Sequence, residues 1–207
     1  MPEVKPAATG ATQSSAERIL MAAKSLFSQR GYENTSTVAI ARQAGTSESQ
    51  LMKHFGSKDG LLEAIFERGW QQMGQELLVL HRLPSSAEKM RKLADVVMTG
   101  LERDPQLKEL MLLEGRRIRR EGHMVLLTTG YLEFVKMVDG VLEQLKKEGK
   151  LAPESTPQSV RSALLGVFEG MLRDQLLAER FGFPATFTSA QMRKTFDVVL
   201  NALTGGK

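Results

Sequence analysis

The side chains best suited to do chemistry fall in one stretch of this 207-residue chain, residues 35–61, TSTVAIARQAGTSESQLMKHFGSKDGL. Glu48, Ser49, Gln50, Met52, Lys53 and His54 are spaced to occupy the outer side of a short helix whose inner side takes Leu51 and Phe55, four residues apart. The outer set mixes donors, acceptors and one apolar contact. Glutamine can bond an adenine edge in two places, methionine can touch a thymine methyl, and lysine or histidine can hold a phosphate.

Other chemistries lack their residues. With no cysteine in the chain, disulfides, thiolate metal sites and thiol nucleophiles are excluded. The phosphate-cradling GxGxxG and GxxxxGKS/T patterns, the GxSxG nucleophile elbow and the HExxH zinc motif are absent. The three histidines, His54, His81 and His123, are scattered along the chain, and Glu114, Glu169 and Asp174 stand singly beside apolar positions, where an arginine partner is the ordinary fate. No convergent acid–base set is visible, so no catalytic residue, metal or cofactor is expected.

The elements that must position these residues are helical. The chain has 28 Leu and 11 Met against 4 Ile and 13 Val, and unbranched or γ-branched side chains lose less freedom in a helix than β-branched ones. Ser14 and Glu17 form a capping box ahead of an apolar stripe of Ile19, Ala22, Ala23, Leu26 and Phe27, and Gly31 stops that helix. A very short helix follows from Thr37 to Ala44, closed by Gly45; a cap at Ser47 then opens the helix that ends near Phe55. Helices this short are unstable alone and must lean on the first, which Ile40, Ala41, Ala44, Leu51 and Phe55 allow. Short helix, Gly-led turn, short helix is helix-turn-helix geometry, with the second helix held out toward a major groove. Ser57 caps a long helix with the apolar face Leu61, Leu62, Ile65, Phe66, Trp70, Met73 and Leu77, reaching about Leu80.

After the break at Leu83-Pro84-Ser85-Ser86, helices are predicted near 86–103, 105–115, 121–148, 157–180 and 188–203. The fold is therefore predicted to be all-α: an N-terminal three-helix helix-turn-helix domain plus a larger helical domain, about nine helices in all. The divisions are a disordered tail over 1–13, a helix-turn-helix domain over 14–60 (second and third helices about 37–55), a connecting helix over 61–82 and a C-terminal domain over 83–207. The opening dozen residues, MPEVKPAATGAT, lack the apolar core of a signal peptide, and no apolar run is long enough to span a membrane. A cytoplasmic protein is expected.

The net charge of +4 is too small to argue for a nucleic-acid partner, and only 7 of 28 basic and 5 of 24 acidic residues fall in residues 1–60. Position is more telling: Arg42, Lys53, His54 and Lys58 flank the Gly45 turn, opposed there by Glu48.

At this point the N-terminal fifty or so residues resemble the tetracycline-repressor (TetR) family. Thr35, Ser36, Ile40, Ala41, Ala44, Gly45, Ser47, Leu51, His54, Phe55, Ser57, Lys58 and Leu61 stand in the family's register, after Arg30-Gly31-Tyr32. The chain departs at Thr37 and Thr46, where the family prefers Val, at Ser49 for Gly, and at Met52 for Tyr, which removes a hydroxyl that in relatives commonly meets phosphate. The resemblance implies a homodimer that reads a near-palindromic double-stranded DNA operator with one recognition helix per half-site. It implies that Thr35, Ser36, Thr37 and His54 donate to phosphates, and that Lys58 does so from the start of the fourth helix. Elementary physics agrees on Lys58, since an ammonium beside free first-turn amides suits a phosphate. The expected DNA-binding set is thus Thr35, Ser36, Thr37, Ser47, Glu48, Ser49, Gln50, Met52, Lys53, His54 and Lys58.

For the C-terminal part the resemblance is architectural: a dimer through the last two helices and a small-molecule pocket among the middle ones. The expected seam is Leu164, Val167, Gly170, Phe196, Val199 and Leu200, with ordinary core as the alternative. The expected pocket is Met111, Leu112, Met124, Leu127, Tyr131, Phe134, Met137, Phe168 and Met171, again against ordinary core. The run Arg116-Arg117-Ile118-Arg119-Arg120 has Glu114 and Glu121 as nearby counter-charges and is given no role. The reading that follows is a ligand-responsive, sequence-specific transcriptional regulator, a repressor released from its operator by a largely apolar small molecule that tilts the long helix. The rival, a helical small-molecule-binding or interaction protein with a degenerate DNA-binding module, rests on Met52 and the even charge split.

Overall fold

The computed structural model describes residues 13–119 and 122–204. Residues 1–12, which make up all but the last residue of the expected tail, lie outside the described residues, as do Arg120, the last of the arginine run, and its neighbour Glu121. Among the described residues there are nine α-helices and one 3-10 helix, with no strand. The protein is all-α, with an N-terminal helix-turn-helix, as its leucine-rich composition predicts. The chain forms two compact units, the first ending at Leu61 and the second starting at Leu62.

In the first unit α1 (Ser15–Arg30) opens on a complete capping box: the Glu17 amide donates to the Ser14 hydroxyl and the Ser14 amide donates back to the Glu17 carboxylate. Its inner face, Ile19, Ala22, Ala23, Leu26 and Phe27, is buried. α2 (Thr37–Gln43) and α3 (Glu48–Phe55) pack on it and on each other. Ile40 and Leu51 are fully buried and the small Ala41 and Ala44 almost so, which lets two helices of 7 and 8 residues cross closely enough to hold each other in place.

The second unit contains most of α4 (Lys58–Leu77), whose last turn tightens into a 3-10 helix at Leu78–Arg82. It is completed by α5 (Ser86–Arg103), α6 (Pro105–Glu114), α7 (Thr129–Lys147), α8 (Pro157–Phe181) and α9 (Ser189–Leu203). Helices α5, α7 and α8 form the central stack, with α6 against α5 and α8, and α9 against α8. Two glycines make room for close packing here: a Cβ at Gly69 would lie 2.4 Å from Leu107 Cδ2, where that side chain seats on α4, and one at Gly130 would lie 2.7 Å from Trp70 Cβ. Glu67 reinforces the second approach by accepting from the Gly130 amide at 2.8 Å, capping α7 from α4. At the other end of α7, Lys150 and the buried Ser86 hydroxyl hold the Glu148 carboxyl below its ordinary pKa.

One helix is shorter than predicted. The expected start at 121 gives way to a loop in which Arg119 donates to the His123 carbonyl, Val125 donates to the Arg117 carbonyl, and Ile118 bridges Met124; α7 begins only after Thr128, whose hydroxyl caps Tyr131. Met124 and Leu127 keep helical spacing with Tyr131, so the apolar period continues while the backbone turns.

Candidate functional site

The turn between α2 and α3 is built by short-range bonds. Gly45 sits at φ +62°, a conformation that costs a side-chain-bearing residue about 1 kcal/mol. The Thr46 amide then donates to the Ala41 carbonyl at 3.0 Å. The Ser36 and Ser47 hydroxyls accept from the amides of Ala39 and Gln50, each at 3.2 Å, capping α2 and α3. Arg18, which the sequence reading passed over, reaches from α1 to donate to the Ala44 carbonyl at 3.1 Å and to the Gln13 carbonyl at 3.0 Å. It fixes the turn against α1, a role with no local sequence signal because its partner lies 26 residues away.

The expected DNA-binding residues divide into three groups. Ser49, Gln50, Met52 and Lys53 are exposed along α3, with Met52 at 43%. Glu48 and His54 are exposed but engaged: Glu48 accepts from the Thr37 hydroxyl, and His54 Nε2 lies 3.0 Å from the Ser15 hydroxyl. Lys58, at the start of α4, donates to the Tyr32 carbonyl at 2.9 Å and sits 4.2 Å from the Tyr32 ring centroid, a cation–π contact that places its ammonium. The Tyr32 hydroxyl in turn donates to Asp59 at 2.5 Å.

Thr35 departs from its expected phosphate-donor role. It is 2% exposed, and its hydroxyl donates to the Gly31 carbonyl at 2.8 Å, with the Leu26 carbonyl at 3.3 Å, closing the end of α1. A hydroxyl buried on two carbonyls has no proton to offer a phosphate. Ser36 remains exposed while serving as a cap.

The second unit holds a cavity of about 140 Å³ among α4 to α9. Its walls are apolar, with Met90, Leu93, Val97, Leu101 and Leu172 beside an aromatic group. Trp70 stacks on Phe134 at 4.9 Å and tilts on Tyr131 at 5.2 Å. Of the nine expected pocket residues, Met111, Leu112, Tyr131, Phe134 and Phe168 line it; Met124, Leu127, Met137 and Met171 do not, and Leu127 is 45% exposed in the loop before α7. The sequence reading missed Trp70, Lys108, Arg116 and Arg161, which also line it. Trp70 was legible as part of an apolar helix face, whereas the cations had no periodic signal. Arg161 is paired with Asp139, and Arg116 with Glu169 at 2.6 Å. Burial pushes the Tyr131 phenol above its ordinary pKa, Arg161 opposes that shift and Glu169 adds to it.

The seam residues also divide. Leu164, Phe196 and Leu200 are buried in the unit's own core, and the first two face the cavity, so they offer nothing to a second chain. Val167, Gly170 and Val199 are partly exposed, beside an exposed Val198, and a Cβ at Gly166 or Gly170 would meet nothing within 4 Å. In the arginine run, Arg117 pairs with Glu114 at 3.1 Å, and Arg119 with Glu63. No helix among the described residues is long and apolar enough to cross a membrane.

Comparison with known proteins agrees with this geometry. Residues 19–65 match the model of bacterial regulatory proteins of the tetR family. Nucleoid occlusion factor SlmA of Vibrio atlanticus is 28% identical over 170 residues, covering 75% of this chain and 81% of that protein. The HTH-type transcriptional regulator UidR of Escherichia coli is 24% identical over 174 residues, covering 82% and 85%. Among solved structures, the fatty acid degradation regulator FadR of Bacillus halodurans shares the fold with a TM-score of 0.77 at 17% identity, covering 94% of this chain and 98% of that one. FadR of Bacillus subtilis, in complex with stearoyl-CoA, does so with 0.68 at 19%, covering 92% and 98%. The matched segment contains the whole α2–α3 turn and the exposed face of α3: the chain belongs to the TetR family and is a DNA-binding transcriptional regulator.

Proposed function

We propose that this regulator is a repressor, acting in the cytoplasm as a homodimer on a near-palindromic operator and released from it by a small molecule held in the cavity of the second unit. The observation that carries the reading is the double membership of α4. The helix starts at Lys58, directly after the α3 turn, and later contributes Trp70 to the cavity wall and Glu67 to the cap of α7. A ligand that prefers one packing of Trp70, Tyr131 and Phe134 thereby acts on α4, and the strength of release is bounded by that preference. The effector is a largely apolar molecule, in keeping with the cavity walls and with a fold neighbour that holds an acyl-CoA. The dimer uses the side of α8 and α9 that carries Val167, Gly170, Val198 and Val199, where open glycine surface admits a close partner helix.

On α3 the reading assigns base contacts to Ser49, Gln50 and Met52, and phosphate contacts to Lys53, His54, Ser36 and Lys58. Thr37 and Glu48 brace each other across the turn, as Ser47 braces α3. The test is a gel shift on the DNA upstream of the chain's own gene. Lys53→Ala with His54→Ala is expected to weaken binding at least about tenfold and to flatten its salt dependence; undiminished binding would overturn the assignment.

A further inference from the structure

Resting on the proposal that the cavity of the second unit is the effector site, we propose that its ligand is a monoanion with an apolar body, a carboxylic acid whose carboxylate is held by Lys108.

A census of the polar groups in the wall leads there. Four charged side chains line the cavity: Lys108, Arg116, Arg161 and Glu169. Arg116 and Glu169 neutralise each other, and Arg161 is neutralised by Asp139, which stands outside the lining. The ammonium of Lys108, half-buried on α6, has no ion pair or hydrogen bond among the described residues. Among the described residues the wall therefore keeps one positive charge without a counter-ion, beside apolar side chains, where an incoming anion gains a charge-assisted bond.

The neutral donors point the same way. The Tyr131 hydroxyl has no hydrogen-bond partner among the described residues and, raised in pKa by burial, stays protonated and able to donate. The Trp70 Nε1 is buried and without an acceptor among the described residues. Trp70, Tyr131 and Lys108 all line the same cavity. The lining offers surplus donors and no free carboxylate, because its one acid, Glu169, is engaged by Arg116. An acceptor-rich head suits it. An amine would face the Lys108 ammonium with no carboxylate left to receive it, and a coenzyme A ester would bring several phosphate charges to a wall whose arginines are already paired.

Trp70 is the chain's single tryptophan, so its fluorescence reports the cavity in the intact protein. Decanoate, decanol, decylamine and decanoyl-CoA, each titrated into the full chain, form the panel. Decanoate is expected to give a saturable change at least about tenfold tighter than decanol or decylamine. Lys108→Met is expected to lower decanoate affinity about tenfold and leave decanol unchanged at an unaltered melting temperature, while Tyr131→Phe costs about threefold. Decanol or decylamine binding as tightly as decanoate, decanoyl-CoA binding where decanoate does not, an unchanged Lys108→Met, or no response to any of the four would each overturn the proposal. The gel shift decides the DNA-binding reading separately, and operator release by decanol or decanoyl-CoA alone would keep the ligand-responsive reading while removing the acid.

Discussion

The two units differ in how far their polar side chains reach. In the first, the capping hydroxyls bond to backbone three residues away: Ser14 to the Glu17 amide, Ser36 to Ala39, Ser47 to Gln50, Ser57 to Gly60. The second has caps of the same kind, at Ser85 and Thr128 among others, and adds charged side chains that reach across the fold to one another, as Arg116 does to Glu169, 53 residues on, and Arg193 does to Asp95, 98 residues back. The first pattern fixes the shape of a small module and leaves the outer face of α3 available; the second ties long helices together around a space. A short recognition module cannot draw rigidity from a large core, so it draws it from caps.

Five substitutions would break or sharpen that contrast. Leu51→Ala removes a fully buried side chain from a unit with little core to spare and is expected to cost about 2–5 kcal/mol by chemical denaturation. Leu172→Ala, which borders existing empty space, is expected to stay near 2 kcal/mol; equal losses would mean that the small module is no less tolerant than the large one. Thr35→Val should destabilise by about 1–2 kcal/mol with the salt dependence of DNA binding unchanged, whereas a slope shallower by about 0.9 would return Thr35 to the phosphate. Ser47→Ala should cost about 1 kcal/mol as a lost cap. Arg193→Ala, despite bonds to Asp95 at 2.6 Å and Glu102 at 2.9 Å, is expected to lie below about 1 kcal/mol in a melting experiment, because these partners are substantially exposed. A larger loss there would show that the second unit depends on its long-range pairs as much as the first does on its caps.

The same contrast explains what could be read from the sequence. Caps act over three residues, so Ser14 with Glu17 and the Ser47 start of α3 were visible as spacings, as was the buried set Ile40, Ala41, Ala44 and Leu51. Thr35 was misassigned because the resemblance fixes its position in a pattern but not where its hydroxyl points; its second acceptor, the Leu26 carbonyl, lies nine residues away. The loop before α7 was read as helix because Met124 and Leu127 sustain the period that Thr128 actually opens. The cavity was half legible. Its apolar wall follows helix periodicity, while Lys108, Arg116 and Arg161 come together only through the packing of α6, the loop after it and α8.

At Gly130 the backbone of α7 presses on α4 with no side chain of its own at the point of contact. Contacts cushioned by long side chains yield by changing rotamers, and a push on one helix fades within them. Here there is little to yield: a shift of α7 meets Trp70 at its Cβ. This point acts mechanically as a stiff coupling, so that a displacement of a few tenths of an ångström at the cavity wall is passed to α4 rather than lost in side-chain motion.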